Sequence, residues 1–193
     1  MRTTGVIQAL LLAAGASKRF GSNKLLEALP DGTPMLLRSA ETLLAADLPV
    51  LAVLRRGDKA ATKLLAPLAG VAVTECPHAR AGMGHSLAWG VVRSGHADGW
   101  LVALADMPFL SSDTMRAVYL ALEAGASIAA PAYQGQRGHP VGFSRRWRDD
   151  LLALTGDHGA QILLRCHPEV LTLVPCNDPG VLRDIDMPAD LPA

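Results

Sequence analysis

From Val6 to Ala13 the chain reads VIQALLLA, a near-continuous apolar run that Gly15 closes two residues later. A strand with so little polar surface has no face to offer water and must be buried on both sides. That requirement calls for a mostly parallel sheet with helices packed above and below it, an α/β architecture. The rest of the chain supplies the parts. Pro34 stands at a helix start, and Met35, Leu36, Ser39, Leu43 and Leu44 make a helical stripe to about Ala46. Pro49 leads into a second strand at residues 50–54, Asp58 opens a helix through Leu65, and residues 71–74 form a third short strand. Leu87, Val91 and Val92 fit a helix starting near Ser86, placed as its N-cap after Gly84. Further strands are predicted at 101–105, 127–131 and 170–174, with a helix from about Ser112 and a short extended piece at 140–143. Trp147, Leu151, Leu152 and Leu154 form one more helical face, and Ile162, Leu163 and Leu164 another. Repeated β-α-β units without a linker or an internal repeat predict one domain over residues 1–193.

Composition narrows the partners. Lys plus Arg and Asp plus Glu are 18 each, so the formal net charge is zero. Binders of nucleic acid or membrane surfaces draw affinity from excess positive charge, and 4% aromatic content leaves little to stack on bases. Cys76, Cys166 and Cys176 contain no C-x-x-C pair, and the six histidines contain no metal-ligand spacing such as H-E-x-x-H. Arg2, the apolar run to Ala14, and then Gly15 and Ala16 imitate a short secretory signal. No other stretch reaches the roughly 18 apolar residues of a membrane span. The expectation is a soluble cytoplasmic protein that retains this segment as its first strand and has neither membrane nor nucleic acid as a partner.

In open α/β sheets ligands bind in loops at the carboxyl ends of the strands, here those after Ala13, Thr74, Ala105 and Pro131. The first loop, AGASKRFGSNK from Ala14 to Lys24, combines small residues with Lys18, Arg19 and Lys24. Small residues let backbone N–H groups approach an anion closely. The loop is neither a Walker A sequence nor a complete G-x-G-x-x-G; an ordinary basic, solvated turn is the alternative. Asp106 follows a buried apolar strand, where a carboxylate is costly unless it is paired or binds a metal. Capping of the next helix is the competing role, but Ser111 and Ser112 are better placed for it. Alternation in the extended stretch Asp184-Ile185-Asp186 predicts both aspartates on one side. A basic glycine loop and strand-end aspartates are the parts that Mg²⁺ and a triphosphate need.

LAAGASKRFGSNK, residues 12–24, resembles the signature L-A-A-G-x-S-x-R-x-G-x-x-K of sugar and cofactor nucleotidyltransferases. In order along the chain follow GMGHSL at 82–87, LADMP at 104–108, RGHPVGF at 137–143, GDHGA at 156–160 and DIDMPAD at 184–190. The ordered set resembles the molybdenum cofactor cytidylyltransferases over nearly the whole chain. The resemblance implies a Rossmann-like three-layer fold and Mg²⁺-dependent transfer of CMP from CTP to the phosphate of molybdopterin cofactor, with release of pyrophosphate. By the same resemblance Leu12, Ala13, Ala14, Gly15 and Ser17 wrap the nucleotide, with Arg19 and Lys24 neutralising its phosphates. Asp106 and Asp186 are the implied Mg²⁺ ligands; Arg19, Lys24 and Asp106 carry catalysis. Gly82, Met83 and Ser86 line the base and ribose, and Arg137, Gly138, His139 and Pro140 face the pterin. A molybdoenzyme is the implied recipient of the product.

Such chemistry needs no protein nucleophile, because the cofactor phosphate is already an anion. The protein aligns two anions, neutralises charge at the α-phosphate and stabilises the leaving pyrophosphate. Relatives often carry arginine after G-D-x-G-A, where this chain has Gln161. GTP-using relatives typically show L-A-G-G, where Ala14 stands here. A same-fold enzyme using GTP or another phosphorylated acceptor is the runner-up. A non-catalytic cofactor carrier is the reading from another class, and it gives no role to Arg19, Lys24, Asp106 and Asp186 together.

Overall fold

The computed structural model describes residues 5–15 and 23–191. The chain runs β1 (Ile7–Ala13), α1 (Met35–Ala45), β2 (Val50–Arg55), α2 (Lys59–Leu65), β3 (Val71–Cys76), α3 (Met83–Arg93) and β4 (Gly99–Leu104). It continues through α4 (Ser112–Glu123), β5 (Ile128–Tyr133), β6 (Gln136–Arg137), β7 (Val141–Ser144), α5 (Arg148–Leu152), α6 (Gln161–Cys166) and β8 (Leu171–Pro175). The eight strands form one sheet in the order β3-β2-β1-β4-β7-β5-β6, and β8 pairs with β5.

β1 is buried at every position and pairs in parallel with β2 on one side and β4 on the other. Its alternation divides the core in two. Ile7, Ala9, Leu11 and Ala13 join residues of α1, α2 and α4. Leu10 and Leu12 join Leu87 and Val91 of α3, Leu151 of α5 and Leu164 of α6. The result is the three-layer, Rossmann-like arrangement that a twice-buried first strand demands. Asp58 caps α2 by accepting from the Ala61 N–H at 3.1 Å, and Ser111 caps α4 by accepting from Thr114 at 3.2 Å.

Three expectations change. The extended piece near 140–143 is β7, and it runs antiparallel to both β4 and β5. β5 and β6 form a hairpin around Gln134 and Gly135, both at positive φ, a two-residue turn that reverses the chain without a helix. The third helix starts at Met83 rather than near Ser86, with Gly82 as its N-cap. Gly82 has φ of 123°, a conformation that side chains rarely adopt. A Cβ there would stand 2.2 Å from the Gly156 carbonyl oxygen, so the turn into α3 lies directly against the Gly156 loop.

Candidate active site at the strand ends

β1, β2, β3 and β4 all point their carboxyl ends toward one edge of the sheet, and a cleft of about 1090 Å³ opens there. Leu12, Ala14 and Gly15 contribute from the end of β1, Arg55, Arg56 and Asp58 from the end of β2, and Leu104 and Asp106 from the end of β4. Arg80, Gly82, Met83 and Ser86 line the wall formed by the approach to α3 and its first turn.

At the head of the cleft, Lys24 stands in a short 3-10 turn at Lys24–Leu26 with its side chain only 10% exposed. Its ammonium donates to Asp106 Oδ2 at 2.9 Å, Asp186 Oδ1 at 3.0 Å and the Ile185 carbonyl oxygen at 2.7 Å. Burial lowers the lysine pKa, but the hydrogen bonds and charges of Asp106 and then Asp186 outweigh it, leaving the pKa above its ordinary value. Asp106 is held from both sides of its peptide: the Ser39 hydroxyl donates to the Ala105 carbonyl at 3.0 Å, and the Ile185 N–H donates to the Asp106 carbonyl at 2.9 Å. Two carboxylates that meet on one ammonium can also meet on one divalent cation. Mg²⁺ typically takes one or two protein carboxylates and fills its shell with phosphate oxygens and water. Among the described residues no group of three or more His, Cys, Asp or Glu could hold a metal. The donor set therefore suits a metal completed by a polyphosphate rather than an all-protein cage.

A second cavity of about 270 Å³ shares Leu12, Met83, Leu104 and Asp157 with the cleft. Its walls are largely apolar, with Arg137, His139, Asp157, His158 and Gln161 as polar exceptions. His139 Nδ1 is buried and has no hydrogen-bond partner. Burial, with the Arg137 charge beside it, pushes the imidazole down to about 4, so it is neutral at pH 7. Burial also lowers the Arg137 guanidinium.

Residues 9–170 match the family described as the MobA-like NTP transferase domain. The chain belongs to that family. It is 34% identical over 192 residues to the purine catabolism protein PucB of Bacillus subtilis (strain 168), covering 94% of this chain and 92% of the relative. It is 28% identical over 188 residues to nicotine blue oxidoreductase of Paenarthrobacter nicotinovorans, covering 93% and 92%. Among solved structures, Rv0371c from Mycobacterium tuberculosis H37Rv matches with a TM-score of 0.82 at 28% identity, covering 97% of this chain and 96% of that one. The complex of Rv0371C with manganese matches with a TM-score of 0.79 at 26% identity and the same coverage. Membership in the family makes this chain a nucleotidyltransferase.

In this MobA-like domain the expected site residues fall into four groups. Leu12, Ala14, Gly15, Lys24, Gly82, Met83, Ser86, Asp106 and Asp186 line the cleft. Ala13 does not, because its side chain points into the α1 layer. Arg137 and His139 line the second cavity, whereas Gly138 and Pro140 are buried outside its lining. A Cβ at Gly138 would stand 2.3 Å from the Val181 carbonyl oxygen, so this glycine lets the loop close onto the C-terminal segment. Ser17 and Arg19 lie outside the described residues. The stretch Asp184-Ile185-Asp186 alternates in burial as expected, and of its two aspartates it is Asp186 that lines the cleft. Ile185 is fully buried between them, Asp184 is exposed, and only Asp186 reaches Lys24.

Arg55, Arg56, Asp58, Arg80 and Asp157 were not among the expected residues. Arg55 pairs with Asp58 at 3.2 Å, while Arg56 and Arg80 make no ion pair among the described residues and stand exposed on the cleft. The strand-end rule, applied after Leu54 as well, would have found the first three. No described helix is long and apolar enough to cross a membrane.

Proposed function

We propose that the protein transfers CMP from CTP to the phosphate of a molybdopterin-type cofactor, with Mg²⁺ as the metal. In the reaction an acceptor phosphate oxygen forms a bond to the α-phosphorus, the bond from that phosphorus to the bridging oxygen breaks, and pyrophosphate leaves with the electron pair. The observation that carries this reading is the convergence of Asp106 and Asp186 on the Lys24 ammonium, at the head of a cleft rimmed by Arg55, Arg56 and Arg80.

Asp106 and Asp186 would hold the metal, which neutralises phosphate charge when bound. Lys24, reaching both carboxylates, is placed to turn to the phosphates, and Arg56 and Arg80 meet the outer phosphates from the rim. These fixed charges act where negative charge develops in the transition state. The apolar second cavity takes the ring portion of the acceptor, and its shared walls at Leu12 and Met83 bring the acceptor's phosphate to the cleft. The manganese complex of Rv0371c supports a divalent metal in this scaffold, and a molybdoenzyme would receive the product.

Ala14, 7% exposed in the cleft wall, adds a methyl group against the nucleotide. Pyrophosphate release, followed with each nucleoside triphosphate and purified cofactor, is the test. CTP should be favoured over GTP by at least about tenfold, or roughly 1.4 kcal/mol. Equal use of both nucleotides contradicts the cytidine assignment and leaves nucleotidyl transfer standing. Gln161 in the second cavity favours a second reading, transfer to another phosphorylated acceptor, since relatives often place a cation there.

A further inference from the structure

Asp186 stands in a stretch that belongs to no strand or long helix, yet its carboxylate meets Lys24 at 3.0 Å. A loop carboxylate keeps such a direction only if its own peptide is fixed. One side is fixed by Ile185, whose side chain is fully buried and whose backbone N–H and C=O bond Asp106 and Lys24. On the other side stands the Asp190 carboxylate. Asp190 Oδ2 accepts the N–H of Asp186 at 2.8 Å and the N–H of Met187 at 2.7 Å. Asp190 is tied in turn: its N–H donates to the Met187 carbonyl at 3.0 Å, and the Arg183 guanidinium donates to its carbonyl at 3.1 Å. Arg183 itself lies over the Phe109 ring, 4.3 Å from its centroid, three residues beyond Asp106. The carboxylate of Asp190 thus closes a loop of contacts running from the Asp106 strand end back to the Asp186 peptide.

We propose that Asp190 is a positioning residue: its carboxylate fixes the Asp186 peptide, so that the Asp186 side chain faces Asp106 and the two together bind a divalent cation. This rests on the reading of Asp106 and Asp186 as the metal ligands. Carboxylates accept backbone N–H groups strongly, and partners one step behind a metal ligand typically change metal affinity by about 10- to 100-fold when lost. Replacing Asp190 by alanine frees both N–H groups and lets the peptide turn. Replacing it by asparagine keeps one side-chain oxygen able to accept both.

The test measures Mn²⁺ affinity by electron paramagnetic resonance, with the full chain and a CTP analogue carrying a methylene bridge between the α- and β-phosphorus atoms. Metal-free analogue affinity and the thermal midpoint are read alongside. Asp190→Ala should weaken Mn²⁺ binding about tenfold or more, leave metal-free nucleotide affinity within about twofold, and raise the metal concentration needed for half-maximal turnover more than it lowers turnover at saturating metal. Asp190→Asn should recover most of the metal affinity. Unchanged Mn²⁺ affinity in Asp190→Ala overturns the proposal, and so does an equal loss of metal affinity, nucleotide affinity and stability. If Asp190→Ala fails to fold, Asp190→Glu replaces it: the longer side chain displaces the Asp186 peptide and should also weaken Mn²⁺, and wild-type affinity in that variant overturns the proposal. Asp186→Asn with full Mn²⁺ affinity defeats the underlying metal reading instead, so the two failures are told apart.

Discussion

Lys24→Met retains the aliphatic stem and removes the ammonium that three oxygens share. Two carboxylates are left facing each other, and the Ile185 carbonyl, bonded to Lys24 at 2.7 Å, loses its donor. Removing one partner of a fully buried ion pair costs about 3–5 kcal/mol, whereas exposed pairs contribute about 0–1 kcal/mol. Side-chain exposure is 10% for Lys24, 25% for Asp106 and 47% for Asp186, so the pair with Asp106 lies nearer the buried limit and that with Asp186 nearer the exposed one. With the stripped carbonyl included, the expected destabilisation is about 2–4 kcal/mol. A divalent cation between the carboxylates should restore much of it, since a ligand at about 100 times its dissociation constant adds roughly 2.7 kcal/mol. Urea unfolding in EDTA and in Mn²⁺, both without nucleotide, measures each part. The variant should unfold earlier in EDTA and respond strongly to Mn²⁺, while the wild-type midpoint hardly moves, because its ammonium already occupies the meeting point. A variant as stable as wild type in EDTA, or a wild type that responds to Mn²⁺ as strongly as the variant, shows that the ammonium does not hold the two carboxylates together.

Gly82→Ala should lower stability by several kcal/mol and reduce nucleotide affinity, because its Cβ collides with the Gly156 carbonyl at positive φ; thermal unfolding and isothermal titration check both. His139 binds a proton less readily folded, at about 4, than unfolded, at the free value of 6.5, so its contribution to stability is intact above pH 6.5 and is lost as the pH falls toward 4. The loss approaches roughly 3 kcal/mol below that range, and His139→Leu should flatten the urea midpoint against pH between about 4 and 6.5. Asp106→Asn, nearly isosteric, should fold normally and lose about a hundredfold or more in turnover, which a pyrophosphate-release assay reads directly.

The layered core was legible because its signals are local. β1 has no polar face, and Asp58 and Ser111 precede their helices as side-chain caps. The start of α3 was not legible, because its N-cap is a glycine without a capping side chain, and Ser86, a preferred cap type, is buried inside the helix. The β5–β6 hairpin hid in Gln134-Gly135, a weaker turn signal than Asn-Gly. Lys24, Asp106 and Asp186 are far apart in sequence; the strand-end rule and the resemblance put them in one site, but the contacts between them are a product of tertiary structure that no local signal carries. Alternation was legible at Asp184-Ile185-Asp186, where Ile185 is buried between two more exposed aspartates, but it does not say which aspartate reaches Lys24, and that is Asp186. Gln161 was legible as a departure, and its place in the second cavity was not.

In the proposed reaction the bond broken lies between the α- and β-phosphates, and the nucleotide moves to the acceptor. Parallel reactions with CTP labelled at the α- or the γ-phosphate, run with purified molybdopterin cofactor and Mg²⁺, test it most directly. Nucleotidyl transfer leaves the α-label in the acceptor product and the γ-label in pyrophosphate, with neither transfer in Asp106→Asn. Appearance of γ-label in the acceptor, or of α-label in free CDP, contradicts it.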